Sequence, residues 1–165
     1  MKSTGKIACM LMSVWLLYGC GGIWYAPVGK TVPQDKLIPL VTTGRQTGLW
    51  TTRDLSLSFS YEVVQNQWKI EGTIEYDGSL KNNFIVLDYF HMDVLFVDDR
   101  GKILSMNGLM STGPTYLEYP ESFAISVPLP PGARALAFSY RGQAKEMGAH
   151  REGGLGTYFW EYPIR

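Results

Sequence analysis

Residues able to carry chemistry are scarce in this 165-residue chain. It has two cysteines, Cys9 and Cys20, and two histidines, His91 and His150. A zinc site takes three or four Cys, His or carboxylate ligands, and no stretch gathers them, so no metal is expected. There is no Gly-x-Ser-x-Gly elbow, and no spacing singles out a Ser, a His and an Asp; no catalytic residue is assigned. A phosphate cradle needs a helix after its glycines, and the glycine-rich stretch 141–157 is followed by none, so no cofactor is expected. An excess of charge is also missing. Fifteen Lys and Arg face fifteen Asp and Glu, with no basic run, which argues against nucleic acid as a partner. No apolar run reaches the roughly 20 residues that cross a bilayer. No amphipathic helix of useful length is visible either.

What is present begins at the N-terminus. Lys2 and Lys6 give a positive start, Ile7 to Leu17 is almost wholly apolar, and Gly19 supplies a small residue. These are the three parts of a secretory signal. The segment Leu17-Tyr18-Gly19-Cys20 then resembles the lipobox of bacterial lipoproteins, with Tyr18 departing from the usual second position. The resemblance implies cleavage after Gly19 and lipidation of Cys20, which would make the membrane a partner through the attached lipid. Several acyl chains on one cysteine anchor durably, since each buried methylene contributes about 0.8 kcal/mol. Gly21 rather than Asp after the cysteine implies the outer membrane. The competing reading is an ordinary signal peptide cut at the same place. Loss of residues 1–19 would remove Lys2, Lys6 and Cys9, leaving a slight acidic excess and no cysteine pair for an internal disulfide.

The expected organisation is therefore a signal peptide over 1–19, a lipidated cysteine and tether over 20–53, and a domain over 54–165. Ala26-Pro27, Val32-Pro33 and Ile38-Pro39 punctuate the tether, and Leu37 to Val41 is a candidate edge strand. In the domain, Leu55, Leu57, Phe59, Tyr61 and Val63 alternate with polar residues, as do Trp68, Ile70, Ile74 and Tyr76. Such a period of two marks half-buried strands. A turn at Gln65-Asn66 would pair Val63 with Trp68, Tyr61 with Ile70 and Leu57 with Ile74. It also sets Glu62 against Lys69 and Gly72 against Phe59, leaving room for that ring over bare backbone.

A second hairpin is expected around Asp98-Asp99-Arg100-Gly101, pairing Phe96 with Leu104 and Val97 with Ile103. Both its faces are apolar near the turn, so one needs a cover, for which the N-terminal segment is available. Val94 to Leu104 resembles a hairpin common in small envelope lipoproteins. Phe123 to Leu129, Leu136 to Tyr140 and Tyr158 to Ile164 complete the set, with Pro130-Pro131-Gly132 as a type II turn. About seven short strands predict an all-β fold, an antiparallel β-sandwich of immunoglobulin or fibronectin III type. No Cys-Trp-Cys pattern supports an antibody-type core.

Two stretches stand out as loops. Residues 105–120 carry Tyr116 and Tyr119 beside Glu118 and Glu121. Residues 141–157 carry His150 and Arg151 among five glycines. Long connections are often functional, so Tyr116, Tyr119, His150 and Arg151 are candidate contacts for a ligand or partner. The plain alternative is flexible loops with the tyrosines rooted in the core. His91 and Asp93 share a strand face and read as a surface pair or a hydrogen-bonded histidine. The expected function is a non-enzymatic, membrane-anchored envelope module that binds an envelope protein or supports an assembly. The alternatives are a glycan- or small-ligand-binding module using the end loops, and a hydrolase with a spatially assembled site.

Overall fold

The computed structural model describes residues 27–146 and 156–164. Gly19, Cys20, His150 and Arg151 lie outside the described residues. The described chain is an antiparallel β-sandwich of two packed sheets. In order, its strands are β1 (Ile38–Pro39), β2 (Gln46–Thr51), β3 (Leu55–Val64), β4 (Gln67–Tyr76), β5 (Val86–Val97), β6 (Ile103–Thr112), β7 (Thr115–Tyr116), β8 (Glu121–Pro128), β9 (Ala135–Lys145) and β10 (Gly156–Glu161). A single-turn helix α1 (Gly78–Lys81) follows β4. One sheet has the order β2-β3-β4-β8. The other is built on β9 and β5: β1 and β10 pair with β9, while β6 and β7 pair with β5. The architecture is the two-layer one that immunoglobulin and fibronectin III domains share; here β2, β3 and β4 form a meander within one sheet.

The β3–β4 hairpin has the register expected from its alternation. Val63 faces Trp68, Tyr61 faces Ile70, Leu57 faces Ile74, and Glu62 faces Lys69 on the outer side. Its two-residue turn places Gln65 at φ 51° and Asn66 at φ 61°. Positive φ at both central positions is the turn geometry that matches the twist of paired strands. Asn66 is held there by β8's extension: its side-chain amide donates to the Leu129 carbonyl at 3.2 Å, and Leu129 N–H donates back to Asn66 O at 3.0 Å.

Gly72 faces Phe59 in the register as expected, but the ring does not lie over it. Phe59 covers Gly48 on β2, its partner on the other side. A methyl group at Gly72 would instead stand 2.9 Å from both Phe123 and Leu57. The larger sheet repeats the device, with Phe159 opposite Gly142 and its Cζ 2.5 Å from where a methyl would sit. Glycine thus lets a neighbouring ring lie flat on the sheet backbone.

Several boundaries also move. Residues 46–51, placed in the tether by sequence, form β2 and pair with β3 along their whole length. Their inward positions are Gln46, Gly48 and Trp50, so the apolar alternation is hidden by a glycine that Phe59 fills. The expected loop 105–120 is mostly strand, with β6 running to Thr112 and β7 at Thr115–Tyr116. Arg141–Lys145, expected as the start of the loop 141–157, is the far half of β9, hydrogen-bonded on both sides to β5 and β10. In the second hairpin Val97 faces Ile103 as expected. Phe96, however, faces Ser105, because a register shift there skips Leu104.

Between the sheets, Leu57, Trp68, Ile74, Leu87, Phe90, Met92, Phe96, Leu136, Phe138, Tyr140 and Phe159 are almost wholly buried. Each such side chain contributes about 1.5–3 kcal/mol by leaving water. The rings interlock, with Trp68 edge-on to Phe96 at 5.3 Å and Phe90 stacked on Tyr140 at 6.0 Å. A second, smaller cluster lies on the outer face of the larger sheet: Leu95, Val97, Ile103, Ala135 and Ala137. Val32, Leu37 and Ile164 cover it. The apolar second face of the β5–β6 hairpin is thus closed from both ends of the described chain. The covering segment is pinned by Val32 N–H donating to Gly101 O at 2.9 Å.

Candidate functional site

The cover stops part-way along the outer face of the larger sheet, and the open half holds the most chemically varied residues of the described chain. Strand register sets them in rows. Trp160 on β10 faces Arg141 on β9, which faces His91 on β5, which faces Ser111 on β6. The neighbouring row runs Tyr158, Gln143, Tyr89. Alternation explains the placement: Phe159 turns into the core at 2% exposure, so Tyr158 and Trp160 turn out, at 60% and 57%.

The charges of this face are mostly committed. His91 Nε2 lies 2.9 Å from Asp93 Oδ1, and Asp93 is nearly buried. Gly108 sits across from Asp93 and leaves the pair unobstructed. Lys145 pairs with Asp88 at 2.9 Å; Glu161, which by alternation shares the Phe159 side of β10, pairs with Lys36 at 3.0 Å. Arg141 is exposed, and among the described residues it has no carboxylate within ion-pairing distance. The histidine–aspartate pair sits on an open sheet face rather than between the sheets. Ser111 faces His91 across the strands, and among the described residues no hydrogen bond joins them. Among the same residues no three His, Cys, Asp or Glu are grouped to hold a metal, and no helix is long and apolar enough to cross a membrane.

Tyr116 and Tyr119 lie elsewhere, at one end of the sandwich. They are 53% and 63% exposed, so they are not rooted in the core; Leu117 takes that part at 1%. Tyr116 lines a cavity of about 290 Å³ with Lys81, Phe84, Ile85, Leu117 and Glu118. Val86 pairs with both Tyr116 and Lys145. The stem of the 147–155 segment, where Lys145 faces Gly156, therefore lies at the same end as Tyr116. Tyr119 does not line the cavity. The sequence did not single out Tyr158, Trp160 or Arg141. Their signal was the alternation of Tyr158, Trp160 and Tyr162 with Phe159, legible once 156–161 is read as a strand with one face free.

Compared with known proteins, the sequence matches no family model and no curated protein.

Two interior groups complete the electrostatics. Glu121 points inward from β8, and burial raises its carboxyl above the ordinary range. The Tyr76 hydroxyl is pushed up by burial and then by the nearby Glu121 charge. Neither the Tyr76 hydroxyl nor Glu121 Oε1 has a hydrogen-bond partner among the described residues. Tyr140 is different. Its hydroxyl donates to Asp54 Oδ2 at 2.8 Å and contacts Thr52 Oγ1 at 2.9 Å, tying the larger sheet to the β2–β3 turn.

Proposed function

We propose that this protein is a lipid-anchored envelope protein whose sandwich is a non-enzymatic binding module. The anchor rests on the lipobox-like segment ending at Cys20. The binding role rests on one observation: exposed Trp160 and Tyr158 stand side by side on the strand next to an exposed Arg141 that no described carboxylate neutralises. Trp, Tyr and Arg are the residue types that most often carry interface energy.

The anchor is tested by labelling cells with a radioactive fatty acid and fractionating them. The wild-type protein takes label and sediments with membranes, and Cys20→Ser loses both. Unlabelled wild-type protein, or a Cys20→Ser form that still sediments, would refute the anchor. The binding role is tested by retention of purified protein on isolated cell envelopes, which Trp160→Ala combined with Arg141→Ala should lower at least tenfold. Equal retention would refute that face.

A second reading has its own support. The cavity of about 290 Å³ beside Tyr116 is near the lower end of the size range of small-molecule pockets, and the glycine-rich segment starts and ends beside it. Under this reading Tyr116, with His150 and Arg151 from that segment, holds a small ligand or glycan end. Tyr116→Ala would then abolish ligand binding and leave retention on envelopes unchanged.

A further inference from the structure

We propose that the open face of the larger sheet is a binding site for a saccharide that carries a carboxylate. The inference rests on the reading of this face as the binding surface and names what it holds. Three observations carry it.

The first is shape. The Trp160–Arg141–His91–Ser111 row crosses four strands, a span of roughly 14 Å at sheet spacing. Tyr158 stands about 7 Å along the strand from Trp160. The result is a shallow floor with two exposed rings along one side. An oligosaccharide fits such a floor, because the C–H faces of sugar rings lie against aromatic rings while their hydroxyls reach sideways to donors and acceptors. Gln143, His91 and Ser111 are spaced along the floor to meet them.

The second is charge. Asp88 is paired with Lys145 at 2.9 Å, Asp93 is held by a 2.9 Å hydrogen bond to His91, and Lys36 is spent on Glu161 at the edge strand. Arg141 is the cation left over among the described residues of this face. A guanidinium offers two parallel N–H groups to one carboxylate. One unspent arginine calls for one acidic group on the ligand. It does not suit a polyanion, which needs a run of basic residues.

The third is the shortage of apolar area. A stable protein interface covers about 800 Å² on each side around an apolar centre. Here the aliphatic part of the sheet is already covered by Val32, Leu37 and Ile164. What remains is the rings of Trp160, Tyr158 and the half-buried Tyr89 among polar side chains, enough for sugar stacking and short of a protein footprint.

The test uses the full-length lipidated protein in detergent micelles. An array of uronic-acid, muramic-acid and sialic-acid oligosaccharides is compared with carboxyl-reduced counterparts and with poly-glutamate. At least one carboxylated saccharide should bind, at least tenfold tighter than its reduced form, shifting the emission of the exposed Trp160 to the blue. Arg141→Gln should erase the preference for the carboxylated form. Trp160→Ala should weaken both forms at least tenfold. Both side chains point to solvent, so the variants fold, as an unchanged unfolding midpoint will show. Silence across the saccharide array would overturn the inference. So would poly-glutamate binding as tightly as the best saccharide, or affinities unchanged in both variants. If saccharides fail while retention on envelopes still depends on Trp160, the ligand assignment falls and the binding face stands. If both fail, the face itself is wrong.

Discussion

Replacing Tyr140 by phenylalanine isolates one buried hydrogen bond between the two sheets. The ring is 1% exposed and packs against Trp50, Phe90 and Phe159, contacts that phenylalanine keeps. What is lost is the 2.8 Å bond from the hydroxyl to Asp54 Oδ2. Asp54 is 4% exposed, and its other oxygen accepts from Arg53 Nε at 3.0 Å, a side chain that is 82% exposed. Thr52 does not suffer, since its hydroxyl still accepts from Asp54 N and Leu55 N at 3.2 Å. The cost is therefore one charge-assisted bond in a site closed to water, about 2 kcal/mol. For a domain of this size that is a fall in Tm of roughly 4–8 °C. Urea unfolding followed by tryptophan fluorescence would read it as a lower midpoint at unchanged slope. Combining the change with Asp54→Ala should show a coupling of about 1 kcal/mol or more. A loss below about 0.5 kcal/mol, or strict additivity, would refute the claim that this bond joins the sheets.

Three further outcomes follow from the packing. Glu121→Gln should stabilise the protein at neutral pH by roughly a few tenths of a kcal/mol, because it removes the charge from a partly buried carboxyl whose Oε1 has no partner among the described residues. Burial raises the folded pKa, so the fold favours neutral Glu121. That contribution is full below the unfolded carboxylate pKa and is lost as pH rises through the folded value. The gain in Glu121→Gln should thus shrink to nothing in acid, and a gain independent of pH would contradict the assignment. Gly142→Ala forces a methyl into the Phe159 ring and should cost about 1–3 kcal/mol. Hydrogen exchange should show β10 loosened first, and wild-type protection there would be inconsistent with the ring lying on bare backbone. Gln65→Asn should raise stability by roughly a few tenths of a kcal/mol, read as a higher unfolding midpoint, since Asn tolerates positive φ better. A lower midpoint would show that Gln65 makes a contact of its own.

Sequence alone determined the all-β class and the β3–β4 register, because a strand with one buried face writes its orientation as strict alternation, and both faces of that hairpin agreed. It also determined the turns at Gln65-Asn66 and Pro130-Pro131-Gly132, the latter with Gly132 at φ 86°, because turn geometry is local. It could not reveal β2, whose inward positions are a glutamine, a glycine and a tryptophan, with a ring from the next strand completing the surface. Nor could it reveal the bulges of β6, which depend on the partner strand. The open face was hidden for the same reason. Trp160, Arg141, His91 and Ser111 come from four strands, and only hydrogen-bonded register between residues far apart in the chain sets them in one row. Which part of an apolar sheet stays uncovered was likewise a tertiary decision: Val32, Leu37 and Ile164 close one half of the outer face, and the half they leave open is the candidate site.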